Sequence, residues 1–192
     1  MRRCELAGAR RDGLDLTAGT LSIELTRVVI DGRVIESDGK TENAQRVIAL
    51  DPFTLAALGR LVGQLDAERK EHGPDYHDHG LLFCWDDGRP PHPDTMTRRF
   101  KRLSERAGLP LIDLHDVRHS YATAGRDAKI DWKALSVRLG HADAAFTMKQ
   151  YVQADLEADR QVAHTLAELI VGGSLASVVV GPEGSGDTLD RA

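Results

Sequence analysis

The segment Thr20–Ile30 (TLSIELTRVVI), crowded with β-branched residues and closed by Asp31-Gly32, narrows the possible folds most. β-Branched side chains are stiff at χ1 and fit a pleated surface, while Asp-Gly readily supplies the positive φ angles of a tight hairpin turn. A strand is therefore expected here, turning back into Arg33–Glu36, with Arg46–Leu50 as a third strand beyond the polar turn Ser37–Gln45. Asp51-Pro52 then opens a helix through Leu55, Leu58, Leu61, Val62 and Leu65, because the aspartate can cap and proline suits the first helical turn. Gly73–Gly80 reads as a His/Asp-rich loop, Leu81–Trp85 as a short strand and Asp87–Pro91 as a turn. From Pro93 onward the pattern is almost wholly helical. Asp94 is expected to cap a helix to Ala107, Asp113 one from Leu114 to about Arg126, and Asp131 one that stops at Gly140. Ala144–Tyr151 and Asp155–Ile170 give two more, the last placing Leu156, Val162, Leu166, Leu169 and Ile170 near one face. Gly172–Ala192, small, polar and Gly-rich, reads as a flexible tail. The expected fold class is α+β: a small antiparallel β-sheet followed by a mainly helical cluster, without internal repeats.

Several function classes fall away on composition. No apolar run approaches the ~20 residues of a membrane span. Met1-Arg2-Arg3 leads into Cys4-Glu5 and not into the apolar stretch of a secretory signal. Cys4 and Cys84 are isolated, which speaks against a disulfide framework or a cysteine metal site, and the chain reads as cytoplasmic with no membrane partner. The net charge of −5 hides an asymmetry: residues 152–192 hold seven acids and two bases, whereas the first 151 balance 23 of each. Basic stretches stand out within them, at Arg2, Arg3, Arg10 and Arg11 and again at Arg98, Arg99, Lys101, Arg102 and Arg106. Local patches, not the global balance, decide whether a surface attracts phosphate, so nucleic acid stays open as a partner.

Three short patterns could carry chemistry. His115-Asp116-Val117-Arg118 puts a histidine and an arginine three apart, hence on one helix face. Leu139-Gly140-His141 sets a second histidine just beyond a helix stop, and Tyr151 follows ten residues later between Gln150 and Gln153. Taken singly, each has an ordinary structural reading: a residue at a helix start, a C-terminal glycine, a tyrosine with a wet hydroxyl.

Together, HDVRH, LGH and AFTMKQY resemble the signature of the tyrosine recombinases, the phage-integrase family. The resemblance extends upstream. Arg2-Arg3-Cys4-Glu5-Leu6 looks like the family's first arginine motif, and Lys40-Thr41 with Arg46-Val47 resembles its hairpin lysine segment. Leu82-Phe83 with Gly88, Pro91 and Pro93 is similar to the connection into the helical half. The likeness covers about residues 2–170 and implies an integrase-type catalytic domain over 1–171, with 172–192 as the tail.

It further implies roles. Arg2 and Arg118 look like the catalytic arginines, Lys40 the hairpin lysine, His115 the partner of Arg118 in the HxxR pair, His141 the third basic position and Tyr151 the nucleophile. The residue types suit DNA strand cleavage and rejoining. Two guanidiniums can hold the non-bridging oxygens of a pentacoordinate phosphate through forked hydrogen bonds. A phenol with a pKa of ~10 needs a base or a strongly positive site to attack near neutrality, and a histidine can take or share its proton. A lysine on a hairpin can protonate the leaving 5′-oxygen. The implied product is a 3′-phosphotyrosyl link that a second 5′-hydroxyl reverses, with neither cofactor nor metal. The implied partners are double-stranded DNA and further copies of the chain, as a tetramer on DNA. Arg98, Arg99, Lys101 and Arg102 become candidate DNA-phosphate contacts beside such a site.

The other polar groups are set aside. His72, Asp75, His77, Asp78 and His79 read as a solvated loop and not a metal site, and His119 and His164 as helix-surface or packing residues. Tyr121, one turn beyond Arg118, reads as core, and Tyr76 as a poor nucleophile.

Two departures from the family pattern stand out. The helix that should precede the arginine motif and the family's N-terminal core-binding domain are expected to be absent, and Gly8, Ala9 and Arg11 stand where larger apolar or aromatic residues are usual. The first departure opens a rival reading, a truncated non-catalytic integrase remnant that binds DNA or a full-length recombinase.

Overall fold

The computed structural model describes residues 1–37, 45–110, 112–140 and 156–171. Helix α1 (Arg3–Ala7) leads into strand β1 (Leu14–Asp15). Strands β2 (Thr20–Ile23), β3 (Thr26–Ile30), β4 (Arg33–Ser37) and β5 (Arg46–Ala49) follow, then helix α2 (Pro52–His72) with a short 3-10 turn, Gly73–Asp75. The helical half comprises α3 (Pro93–Arg106), α4 (Leu114–Asp127), α5 (Trp132–Leu139) and α6 (Leu156–Val171). The α+β expectation of a small antiparallel sheet followed by helices holds, with two refinements.

The Thr20–Ile30 segment is two strands and not one. It breaks at Glu24-Leu25, so that β2 pairs with β1 and β5 while β3 pairs with β4 across the Asp31-Gly32 turn. The break allows Leu25 to meet the end of α1: a Cβ on Gly8 would lie 2.4 Å from the Leu25 carbonyl oxygen, and Ala9 is buried beside it. Glycine at position 8 is thus demanded by this close approach. Secondly, Leu81–Trp85 forms no strand; it contributes an isolated bridge from Leu81 to Arg10.

Alternation along the three-stranded sheet is strict where it matters. Leu21 and Ile23 of β2 face inward opposite Ile48 and Arg46 of β5, while Val47 points to solvent. Leu21, Ile23 and Ile48 pack with Ala9 and Leu82 in one core cluster; Leu135, Leu139, Val162 and Leu166 form a second, between α5 and α6. Each such fully buried leucine contributes roughly 1.5–3 kcal/mol by leaving water. Of the apolar residues expected on one face of α6, Val162 and Leu166 are buried, but Leu169 and Ile170 are 56% and 66% exposed.

Caps fall largely where side-chain chemistry places them. Asp51 accepts from the Thr54 amide at 3.0 Å and Asp131 from Ala134 at 2.8 Å, and Asp116 closes the α4 capping box by accepting from the Asp113 amide at 2.8 Å. Helix α3 differs: His92 is its N-cap and accepts from the Asp94 amide, with Pro93 at the first helical position. Asp94 instead pairs with Arg3 at 2.6 Å, tying α1 to α3. Among the described residues no helix is long and apolar enough to cross a membrane.

Candidate phosphate-receiving site

Two segments far apart in sequence, the start of α1 and β5, meet at one carboxylate. Glu5, 1% exposed in α1, accepts from Arg46 Nη1 and Nη2 at 3.0 Å each, from the Arg2 amide at 2.6 Å and from Arg2 Nη1 at 3.1 Å. Arg2 Nη2 then reaches the Gly140 carbonyl at 2.6 Å. Gly140 ends α5 in the left-handed region, at φ 69°, the conformation in which a helix-terminal glycine is favoured. A side chain there would also strike the Arg46 guanidinium, 2.8 Å from the position of a Cβ.

Arg118 completes the group from α4. It is 7% exposed, and its buried Nη1 has no hydrogen-bond partner among the described residues. Burial, and then the like charge of Arg2, push its pKa below the ordinary guanidinium value, and Glu5 compensates only in part. A buried cation with an unused donor is costly until an anion meets it. Arg2, with its side chain 43% exposed, forms the accessible flank.

Burial alone would raise the Glu5 carboxyl, but the hydrogen bonds and charge of Arg46, with the Arg2 amide, outweigh it and hold its pKa below the ordinary range. A carboxyl depressed on folding contributes stability above its unfolded pKa and loses it as pH falls. Thermal melting should therefore show stability declining below pH about 4.5, the gap between wild type and Glu5→Gln closing over the same interval. A gap that does not change with pH would contradict this.

The remaining candidates divide. His115, exposed on the first turn of α4, stacks edge-on against His119, with centroids 4.6 Å apart and Nε2 atoms 3.0 Å apart. His119, exposed on the helix surface as expected, is thus also a neighbour of the candidate histidine. Lys101 pairs with Asp113 at 2.9 Å, binding α3 to the start of α4, whereas Arg98 and Arg102 are exposed and Arg99 half-buried on α3. Lys40, His141 and Tyr151 lie outside the described residues, as do the expected helix Ala144–Tyr151 and the segment 172–192.

The other tyrosines are held by structural partners. The Tyr121 hydroxyl accepts from Arg138 Nε at 2.7 Å, and burial raises its pKa. Arg138 Nη1 also binds Asp159 at 2.8 Å and the Ala49 carbonyl at 3.0 Å, while Asp159 accepts from the Ala49 amide, so α6 is fastened to β5 and α5 of its own chain. Tyr76 sits against Cys84, its hydroxyl 3.8 Å from Sγ, and its pKa too is raised by burial. In the His77 loop, as elsewhere among the described residues, no three His, Cys, Asp or Glu side chains gather as a metal-binding group.

Glu5 and Arg46 are the residues whose importance was not apparent in sequence. Their signal was parity: Arg46 occupies the inward register of Ile48, where an arginine needs a buried acid.

Taken together, the fold and site define an α+β domain in which the guanidiniums of Arg2, Arg46 and Arg118 gather around the buried Glu5 carboxylate. Residues 1–157 match the phage integrase family, and the chain belongs to that family. The integrase of Staphylococcus phage L54a is 25% identical over 174 residues, covering 88% of this chain and 49% of its own length. A protein of Caldanaerobacter subterraneus named as a XerC-like tyrosine recombinase is 22% identical over 185 residues, covering 89% and 47%. Among solved structures, the Tn1549 transposon integrase in complex with transposon right-end DNA shares the fold with a TM-score of 0.62 at 21% identity, over 87% of this chain and 55% of that one. The chain spans about half the length of the curated relatives it matches.

Proposed function

We propose that this chain is the strand-cleaving domain of a site-specific DNA recombinase, breaking and rejoining double-stranded DNA through Tyr151. The observation that carries the reading is the buried Arg118 guanidinium, whose Nη1 has no hydrogen-bond partner among the described residues, set beside Arg2. Family membership and the resemblance of two relatives, named as an integrase and a tyrosine recombinase, support it.

In this reading Arg2 and Arg118 bind the non-bridging oxygens of one DNA phosphodiester and stabilise the charge that grows on them. The Tyr151 oxygen attacks phosphorus and passes its proton to a histidine, His115 or His141. The bond from phosphorus to the 5′-oxygen breaks, and Lys40 protonates that oxygen as it leaves. One phosphoester bond replaces another, so rejoining by a 5′-hydroxyl needs no external energy source. Arg98, Arg99 and Arg102 on α3 add contacts to flanking phosphates, which makes binding fall with salt. Copies of the chain assemble on DNA as a tetramer.

The test uses a library of random-sequence duplexes, each nicked so that cleavage releases a short fragment and traps the enzyme. The expected result is a DNA adduct that survives detergent and is abolished by Tyr151→Phe with DNA binding retained. Binding without any adduct would favour the non-catalytic remnant over the enzyme, and an adduct that persists in Tyr151→Phe would assign the nucleophile elsewhere.

A further inference from the structure

We propose that Arg46, which lies outside the set that would touch the phosphate, is a positioning residue that holds Arg2 and the end of α5 in register for catalysis. The inference rests on the reading of Arg2 as a phosphate ligand. Three side chains and two carbonyls of α5 and its end close a ring: Arg46 binds Glu5 with both terminal nitrogens, Glu5 binds Arg2, Arg2 binds the Gly140 carbonyl, and Arg46 Nε binds the Arg138 carbonyl at 3.0 Å. One guanidinium thereby joins β5, α1 and α5.

Burial of the Arg46–Glu5 pair, with side chains 4% and 2% exposed, makes this ring stiff. Arg2, by contrast, is a long side chain near the surface, and it would lose considerable rotamer freedom on gripping a phosphate. Glu5 and the Gly140 carbonyl impose that order beforehand. Arg46 has an electrostatic part as well. Glu5 alone would neutralise Arg2 and weaken its pull on an anion. With Arg46 supplying a second cation to the carboxylate, the cluster of Arg2, Arg46, Arg118 and Glu5 is more positive by one charge than Arg2, Arg118 and Glu5 alone. Lysine cannot reproduce the arrangement, because it lacks the planar fork that spans both Glu5 oxygens and the third donor that reaches Arg138.

The experiment compares Arg46→Lys with Leu65→Ala, a core substitution in α2, using the full chain and the nicked duplex library. For Arg46→Lys we expect cleavage at saturating DNA to fall about a hundredfold with binding nearly unchanged, beyond any loss in a Leu65→Ala protein that melts equally early. Equal losses in the two variants would overturn the proposal, since they would show stability alone. If the lysine variant does not fold, the double variant Glu5→Gln, Arg46→Met removes both buried charges; wild-type cleavage from that protein, folded, would overturn the proposal as well. Wild-type protein that forms no adduct counts against the proposed function, not this inference. The inference then reads out in the exchange rate of the Arg2 Nη–H protons, which donate to Glu5 and the Gly140 carbonyl: slow in wild type and expected to be fast in Arg46→Lys; unchanged exchange would refute it.

Discussion

Replacing Arg118 by lysine is expected to lower the rate of DNA cleavage at least about a hundredfold while leaving the melting temperature nearly unchanged. The expectation follows from what Arg118 does in the free protein. Its Nη1 is buried without a partner among the described residues, so that donor contributes nothing to stability before an anion arrives. Lysine keeps the charge but presents one compact ammonium in place of a fork, and it cannot hold two phosphate oxygens at fixed separation. The deficit should therefore appear in the chemical step, where charge builds on those oxygens, more than in duplex affinity, which many phosphate contacts share. Single-turnover cleavage beside thermal melting measures both. A lysine variant that cleaves like wild type would mean that Arg118 serves the fold and not the phosphate.

The second large effect is on stability. Glu5→Ala should destabilise the protein by about 3–5 kcal/mol, since removing one member of a buried ion pair strands the other. In a domain of this size that lowers the melting temperature by about 10 °C. The loss is not that of one contact: Arg46, 4% exposed at its side chain, is left without its counter-ion, and the start of α1 loses the carboxylate that accepts from the Arg2 amide. Glu5→Ala combined with Arg46→Met should recover much of the deficit, because the uncompensated charge disappears with its side chain. A single variant that melts within a degree or two of wild type would show that water reaches the pair.

Local chemistry was the legible part of this chain. Asp31-Gly32 marked the β3–β4 hairpin, and Asp51, Asp113 and Asp131 marked helix starts, because a turn or a cap involves only residues a few positions apart. The break at Glu24-Leu25 was not legible: β-branched residues flank it on both sides, and propensity says nothing of which sheet a strand joins. The cap of α3 was misplaced by two residues: Pro93 takes the first helical position and His92 caps, while Asp94 pairs with Arg3, 91 positions away. The resemblance of their motifs to those of the tyrosine recombinases was what pointed to Arg2 and Arg118. What orders them could not be read in that way, because the Arg46–Glu5 pair spans 41 positions and exists only once α1 lies against β5. The apolar stripe of α6 was overextended at Leu169 and Ile170 for a related reason: periodicity gives the direction of a face but not where its partner stops.

The claim on which the functional account depends is that Arg2 and Arg118 receive a DNA phosphate. Arginine Nε–H resonances of the isotope-labelled Tyr151→Phe chain, titrated with a short duplex at low salt, test it most directly. The Arg2 and Arg118 signals are expected to shift and exchange more slowly as duplex is added. Shifts confined to Arg98, Arg99 and Arg102, with Arg2 and Arg118 unmoved, would contradict it and reduce the interaction to charge attraction along α3.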